Sequence, residues 1–270
     1  MRELGLEANT IATWFPKESE SPFILIRVAS AAADAWAELL QVPVRRCYIA
    51  DQTLEQSAAR AGATVTELVA ARLPDRGSIM AGDFGEILAA LYQGAEQAPD
   101  EALEPKKWRL KQDRRKAAPH SDIVQFVLPD WPASSDRDRL LCAEVKTKST
   151  RGASEPITQA IADSRKDQDG RLLKTLLWLR ERALHEDLGT VSLEHLDRFI
   201  NATDHPAATR TFRAVAVICA SLVDAEIESA SLDTPTSCAV VVISVPDLKH
   251  HYEAVYDAVL AGAEAGIGTR

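Results

Sequence analysis

Apolar positions along the chain recur with two periods, and the changes of period mark out the elements. Phe23–Val28 reads FILIRV, β-branched and aromatic enough for a strand. Ala31–Leu40 has helical spacing, and Val44–Ile49 reads as a second strand. Leu54–Leu73 predicts two short helices around Gly62, with Asp51 or Thr53 as the first cap. The cluster Pro74-Asp75-Arg76-Gly77 is a turn. It divides a small N-terminal α+β unit, residues 1–75, from a second domain, residues 76–270.

The second domain alternates strands and helices. Phe84–Gln93 predicts a helix with Ile87, Leu88, Leu91 and Tyr92 on one side. Ile123–Leu128 and Arg139–Lys146 predict two strands around the polar loop 130–138. The second is apolar on both faces until its end, as in a covered sheet. Helices follow at Ile157–Asp163 and Leu172–His185, then buried strands at Phe212–Ala220 and Cys238–Val245, then a helix at Leu248–Ala263. This interleaving predicts an α/β domain, a mixed sheet flanked by helices.

The hairpin places chemistry at one end of that sheet. With the loop centred on residue 134, Asp122 falls opposite Lys146 and diagonally beside Glu144. Glu144 and Lys146 are two apart and leave the same face of the strand, whereas Val145 points to the other. Two carboxylates and an ammonium at an otherwise apolar sheet end are costly unless paired or bound to a cation. Oxygen donors of this kind suit Mg²⁺ or Mn²⁺, with the Val145 carbonyl as a further ligand. Phosphodiester hydrolysis needs a metal that polarises the phosphoryl oxygen and lowers the pKa of bound water, and a lysine can orient or help deprotonate that water or stabilise phosphate charge. A salt bridge between Asp122 and Lys146, with Glu144 solvated, is the competing reading.

Charge and composition narrow the partners. Hydrophobic residues make up 46% and charged residues 26% of the 270 residues, as in a soluble globular protein. The expected location is the cytoplasm, with no signal peptide and no membrane span. The four cysteines form no CxxC pair. The net charge is −9, yet Pro105–Lys116 holds seven Lys/Arg and one Asp, a local +6 that leaves −15 on the rest. Lys106, Lys107, Arg109, Lys111, Arg114, Arg115 and Lys116 therefore form a candidate phosphate-binding strip; a solvated loop is the alternative. His120 reads as a loop histidine and His250-His251 as a solvated face. The short helices before residue 73 show no basic face for a DNA groove and read as packing elements. Neither a Walker A loop nor a G-x-S-x-G elbow is present.

Three segments, Gly82-Asp-Phe-Gly-Glu-Ile-Leu88, Pro119-His-Ser-Asp122 and Ala143-Glu-Val-Lys146, resemble the PD-(D/E)xK nuclease superfamily. Pro119 stands three residues before the Asp, so the literal P-D pair is absent. The more particular resemblance is to HamA, the nuclease subunit family of bacterial Hachiman anti-phage systems, and its AbpA-like relatives. It covers about Gly82 to the C-terminus. It implies a restriction-endonuclease-like core and a Mg²⁺- or Mn²⁺-dependent DNA nuclease. Its partner would be a superfamily 2 helicase (HamB-like), by which the nuclease is held in check or to which it is coupled. It also implies that Glu86 completes the metal site and that Gln159, on the next helix, stands beside it. Asp83-x-x-Glu86 is equally spaced as a capping box, which leaves Glu86 with two readings. The alternative function is a nuclease-like module that binds DNA or docks a helicase without catalysis.

Overall fold

The computed structural model describes residues 1–230 and 238–264. Among these, seven strands form one mixed sheet: β1 (Lys17–Ser19), β2 (Ile24–Arg27), β3 (Ala102–Leu103), β4 (Ile123–Val127), β5 (Arg139–Lys148), β6 (Thr209–Cys219) and β7 (Ala239–Val245). Their order is β1-β2-β7-β6-β5-β4-β3. The central strands β2, β7, β6 and β5 are parallel, and antiparallel pairs close both ends. Parallel strands need helical crossovers, which cover both faces. The helices are α1 (Ala8–Ala12), α2 (Ser30–Asp34), α3 (Trp36–Tyr48), α4 (Asp51–Ala61), α5 (Val65–Arg72), α6 (Ser78–Ala95), α7 (Pro156–Lys166), α8 (Leu172–Ala183), α9 (Leu193–Ile200), α10 (Ala220–Ser229) and α11 (Leu248–Glu264). The architecture is that of a restriction-endonuclease-like α/β core. No helix among the described residues is long and apolar enough to cross a membrane.

The expected boundary at residues 74–77 does not separate two bodies. β2 pairs in parallel with β7, so the first 75 residues supply two strands of the single sheet. Ile11, Trp14, Trp36, Leu40 and Tyr48 share one core cluster with Phe84 of α6 and Tyr252 and Tyr256 of α11. The Tyr48 hydroxyl donates to Asp83 (2.7 Å) and stands 2.7 Å from the Tyr256 hydroxyl, joining α3, α6 and α11. The strand expected at Val44–Ile49 is the second half of α3. Its buried residues Trp36, Leu40, Pro43, Val44, Cys47 and Tyr48 keep a helical spacing, and packing on α11 overrides the β-propensity of VPV. The two-helix reading of 54–73 holds, with Gly62 at φ 61° ending α4; the cap is Thr64 of α5, boxed with Glu67, while Asp51 binds Arg45 and Arg46. Against expectation, His251 is buried beside Trp36, and only His250 is exposed.

α6 lies unusually close to β5. A Cβ on Gly85 would stand 2.0 Å from the Thr147 hydroxyl and 3.2 Å from the Thr147 Cβ. Buried amides also tie the helix to the sheet: Gln125 of β4 donates to the Ala90 carbonyl (2.9 Å) and accepts from Gln93 (3.2 Å). The β4–β5 loop is held from the other side by Arg198 of α9, which donates to Asp138 (2.6 Å) in a fully buried pair. Breaking such a pair typically costs about 3–5 kcal/mol. For Gly85→Ala, α6 must back away from β5, and we expect a loss of about 1–3 kcal/mol in urea melts. Adding Thr147→Ala should recover part of that loss; an additive double variant would refute the contact as its cause.

Candidate active site

Asp122 stands immediately before β4, and Ser121 fixes its approach from both faces of the sheet. From the α8 face, the Ser121 hydroxyl donates to Asp167 (2.6 Å), and its amide donates to the Thr175 hydroxyl (3.2 Å). From the α6 face, Lys107 donates to the Ser121 carbonyl (2.6 Å). The Asp122 carboxylate accepts the Val145 amide at 2.8 Å. N–H and C=O of one strand residue leave the same edge, so the Val145 carbonyl also leaves β5 toward Asp122.

The observed register differs from the expected one. Ile123 pairs with Ala143 and Val127 with Arg139, so Asp122 comes level with Glu144 rather than Lys146. Leu128 belongs to the loop, whose centre is thereby residue 133. The partner of Asp122 moves by two residues, which preserves the face, and the trio still meets.

On the α7–α8 face, Glu144 is buried at 3% exposure between two cations. Lys146 donates to its Oε1 (3.1 Å), and Arg171 donates to its Oε2. Lys146 also pairs with Asp163 (2.8 Å), whereas Arg171 bonds Asp167 (2.7 Å) and the Asp163 carbonyl (2.8 Å). Burial, reinforced by the charge and hydrogen bond of Asp122, pushes the Glu144 carboxyl up to about 9, against the pull of Lys146 and Arg171. Lys146 is raised by Asp122, Asp163 and Glu144, which outweigh its desolvation, so it stays an ammonium. Asp163, Asp167 and Arg171 belong to no motif that the sequence displays. They arrive because α7 runs into α8 through a wide kink at Asp167–Arg171, where Gly170 adopts φ 114°, a conformation that favours glycine.

Glu86 reaches the same corner from the opposite face. α6 starts at Ser78, so Asp83 and Glu86 are interior helix residues and the capping-box reading falls. Asp83 instead binds Lys111 (2.8 Å) and Tyr48. The Glu86 Oε2 is buried with no hydrogen-bond partner, and the Lys107 ammonium stands 3.9 Å away. Burial, with the nearby Asp122 and Asp83 charges, raises its carboxyl to about 8. Gln159 is exposed on α7, one turn before Asp163, and makes no side-chain hydrogen bond to the trio. Among the described residues, no three His, Cys, Asp or Glu side chains form a ready cation-binding cluster. Asp122 and Glu144 are within hydrogen-bonding reach, Glu86 feels the same Asp122 charge, and its Oε2 lacks a partner. Hard oxygen donors with an orphaned, desolvated oxygen fit a divalent cation.

The basic strip is largely internal. Lys106 pairs with Glu104 (2.6 Å), Lys111 with Asp83, and Arg109 with Glu3 (2.6 Å) and the Arg46 carbonyl, all with buried side chains. Lys107 serves Ser121 and Glu86. Arg114 pairs with Asp75 (2.7 Å), and Arg115 and Lys116 bond only to Asp113. A continuous phosphate-binding surface along 106–116 is thus absent; four of its seven cations neutralise buried carboxylates or carbonyls. Glu104, two residues from Lys106, is a local partner, but Lys107, Arg109 and Lys111 look solvated in sequence because Glu86, Glu3 and Asp83 lie far away in the chain.

The raised Glu86 carboxyl has a measurable consequence in the metal-free protein. Its value in the fold lies above the 4.5 of the unfolded chain, so stability is lost as pH rises between about 4.5 and 8. Glu86→Gln should therefore melt close to the parent near pH 5 and increasingly above it toward pH 8.5, in chelator. A parent–variant difference that does not grow with pH contradicts a buried Glu86 whose carboxyl is raised.

The HamA family model matches residues 8–259. It thus includes most of the N-terminal segment, which the motif resemblance from Gly82 onward leaves out. No curated protein matches the chain. With the family model spanning most of its length, over a sheet that unites both parts, the chain belongs to the HamA family and is a component of Hachiman anti-phage defence.

Proposed function

We propose that this protein is the DNA nuclease of its defence system, a Mg²⁺- or Mn²⁺-dependent phosphodiester hydrolase. The observation that carries the reading is the meeting of Asp122, Glu144 and Lys146 at the β4–β5 end, with the Glu86 Oε2, which has no hydrogen-bond partner, within reach of the Asp122 charge. Asp122, Glu144, the Val145 carbonyl and Glu86 would hold the cation. When bound, it would polarise a phosphoryl oxygen and lower the pKa of water.

The protein groups have separable roles. Asp122 is oriented by the Val145 amide and by the anchored Ser121. Lys146, kept charged and steered by Asp163, stabilises charge on the phosphate or orients the attacking water. With a cation held by Glu144, Arg171 would be free to bind the substrate phosphate, and Asp167 would retain its guanidinium nearby. Gln159, exposed one turn from Asp163, contacts substrate. A partner superfamily 2 helicase restrains the nuclease or delivers DNA to it, which suits a chain whose net charge is −9.

The test is nicking of supercoiled plasmid with Mg²⁺ or Mn²⁺, alone and with the helicase. Glu144→Ala and Lys146→Ala should each lower the rate at least about 10²-fold while the chain stays folded by circular dichroism. A chelator should abolish cleavage. Undiminished cleavage by well-folded Glu144→Ala would overturn the assignment, and silence of the parent in both settings would favour a non-catalytic DNA-binding or docking module.

A further inference from the structure

Arg171, Lys174, Trp178 and Arg182 are spaced three to four residues apart through α8 and share one side of the helix. The row starts inside the candidate site, where Arg171 touches Glu144. Lys174, next along, is exposed and has no ion-pair partner among the described residues. Trp178 is half-buried, with the His120 ring 5.2 Å from its own and the Arg182 guanidinium 5.8 Å from its ring centroid. His120 stands two residues before Asp122 and is held at φ 70°, outside the usual range for a side-chain-bearing residue. Arg182 pairs with Glu186 at 3.0 Å where both are about one-third exposed, an interaction that water and phosphate readily replace.

Eleven residues of helix extend about 16 Å, the length of about five stacked nucleotides at 3.4 Å each. Cations along a path provide for phosphates, and aromatic rings between them provide for bases. We propose that this side of α8, together with His120, is a track for a single nucleic acid strand leaving the Asp122–Glu144–Lys146 site. Phosphates lie on Lys174 and Arg182, and an unpaired base lies against the His120–Trp178 pair. The row takes over the part that the internal 106–116 strip does not play. The opposite side of α8, with exposed Leu173, Leu177 and Leu184, is outside the track. The assignment rests on the phosphodiesterase reading of the site for its direction, but its binding test does not depend on catalysis.

The experiment is fluorescence anisotropy of a labelled 20-nucleotide single strand, and of the same strand with abasic sites, titrated with full-length protein in chelator over a range of salt. Lys174→Glu with Arg182→Glu should weaken binding at least tenfold and lower the log–log salt slope by about 1.4, at about 0.7 for each phosphate no longer neutralised. Trp178→Leu should weaken the normal strand about 5- to 100-fold and leave the abasic strand unchanged. Arg115→Glu with Lys116→Glu, a charge swap of the same size on the exposed end of the strip, should have little effect. Parent-like binding by the Lys174/Arg182 variant, an equal loss in the Arg115/Lys116 variant, or no binding by the parent overturns the track. If Glu144→Ala abolishes cleavage while the track variants bind normally, the track alone fails. If the track variants lose binding while Glu144→Ala cleaves normally, the active-site assignment alone fails.

Discussion

The hydrogen bond from the Val145 amide to the Asp122 carboxylate joins the two halves of this site. It forms where β4 has not yet begun and β5 continues, so a side chain takes the place of the missing strand partner. That substitution holds the carboxylate at the end of the β4–β5 pair. Groups from opposite faces of the sheet can meet only at such an end. Glu144 and its cations come from the α7–α8 face, and Glu86 with Lys107 from the α6 face. Most of the neighbouring architecture secures this corner: Ser121 is tied to α8 and to Lys107, and α6 is drawn against β5 by the absent side chain at Gly85.

Buried charge of both signs is the cost of such a corner, and the fold distributes it in pairs. Lys106 meets Glu104, Lys111 meets Asp83, and Arg198 meets Asp138, each with little exposed side chain. Desolvation makes an unpaired ion expensive, whereas a pair with further hydrogen bonds can be carried. The Glu86 Oε2 has no hydrogen-bond partner, and its nearest cation, the Lys107 ammonium, stands 3.9 Å away. That oxygen is desolvated and lies within the electrostatic reach of Asp122 and Asp83.

The first 75 residues contribute to the same arrangement. They add β1 and β2 to the sheet, cover the α6 face with Trp14, Trp36 and Tyr48, and supply Glu3 and the Arg46 carbonyl to Arg109. A family match starting at residue 8 agrees with a segment that is structurally continuous with the rest of the sheet. Changes near the N-terminus are thereby coupled to the loop that carries Lys107 and, through it, to Ser121.

Local information in the sequence settled most elements and the identity of the trio. The strand pattern at 123–128 and 139–146 defined the hairpin, and the two-residue spacing of Glu144 and Lys146 defined their common face, because strand periodicity is a local property. Even a wrong loop centre kept the trio together, since the shift was even. The sequence could not disclose which charges are internal. Lys107, Arg109 and Lys111 read as surface because their partners Glu86, Glu3 and Asp83 approach only after α3, α6 and the sheet have packed. Val44–Ile49 read as a strand because packing on α11, more than 200 residues away, determines its helical form. Asp163 and Arg171 had no motif, since the kink at Gly170 determines what reaches Glu144. Periodicity fixes faces along one element, whereas contacts between elements decide which faces meet, and the candidate site of this protein is made of such meetings.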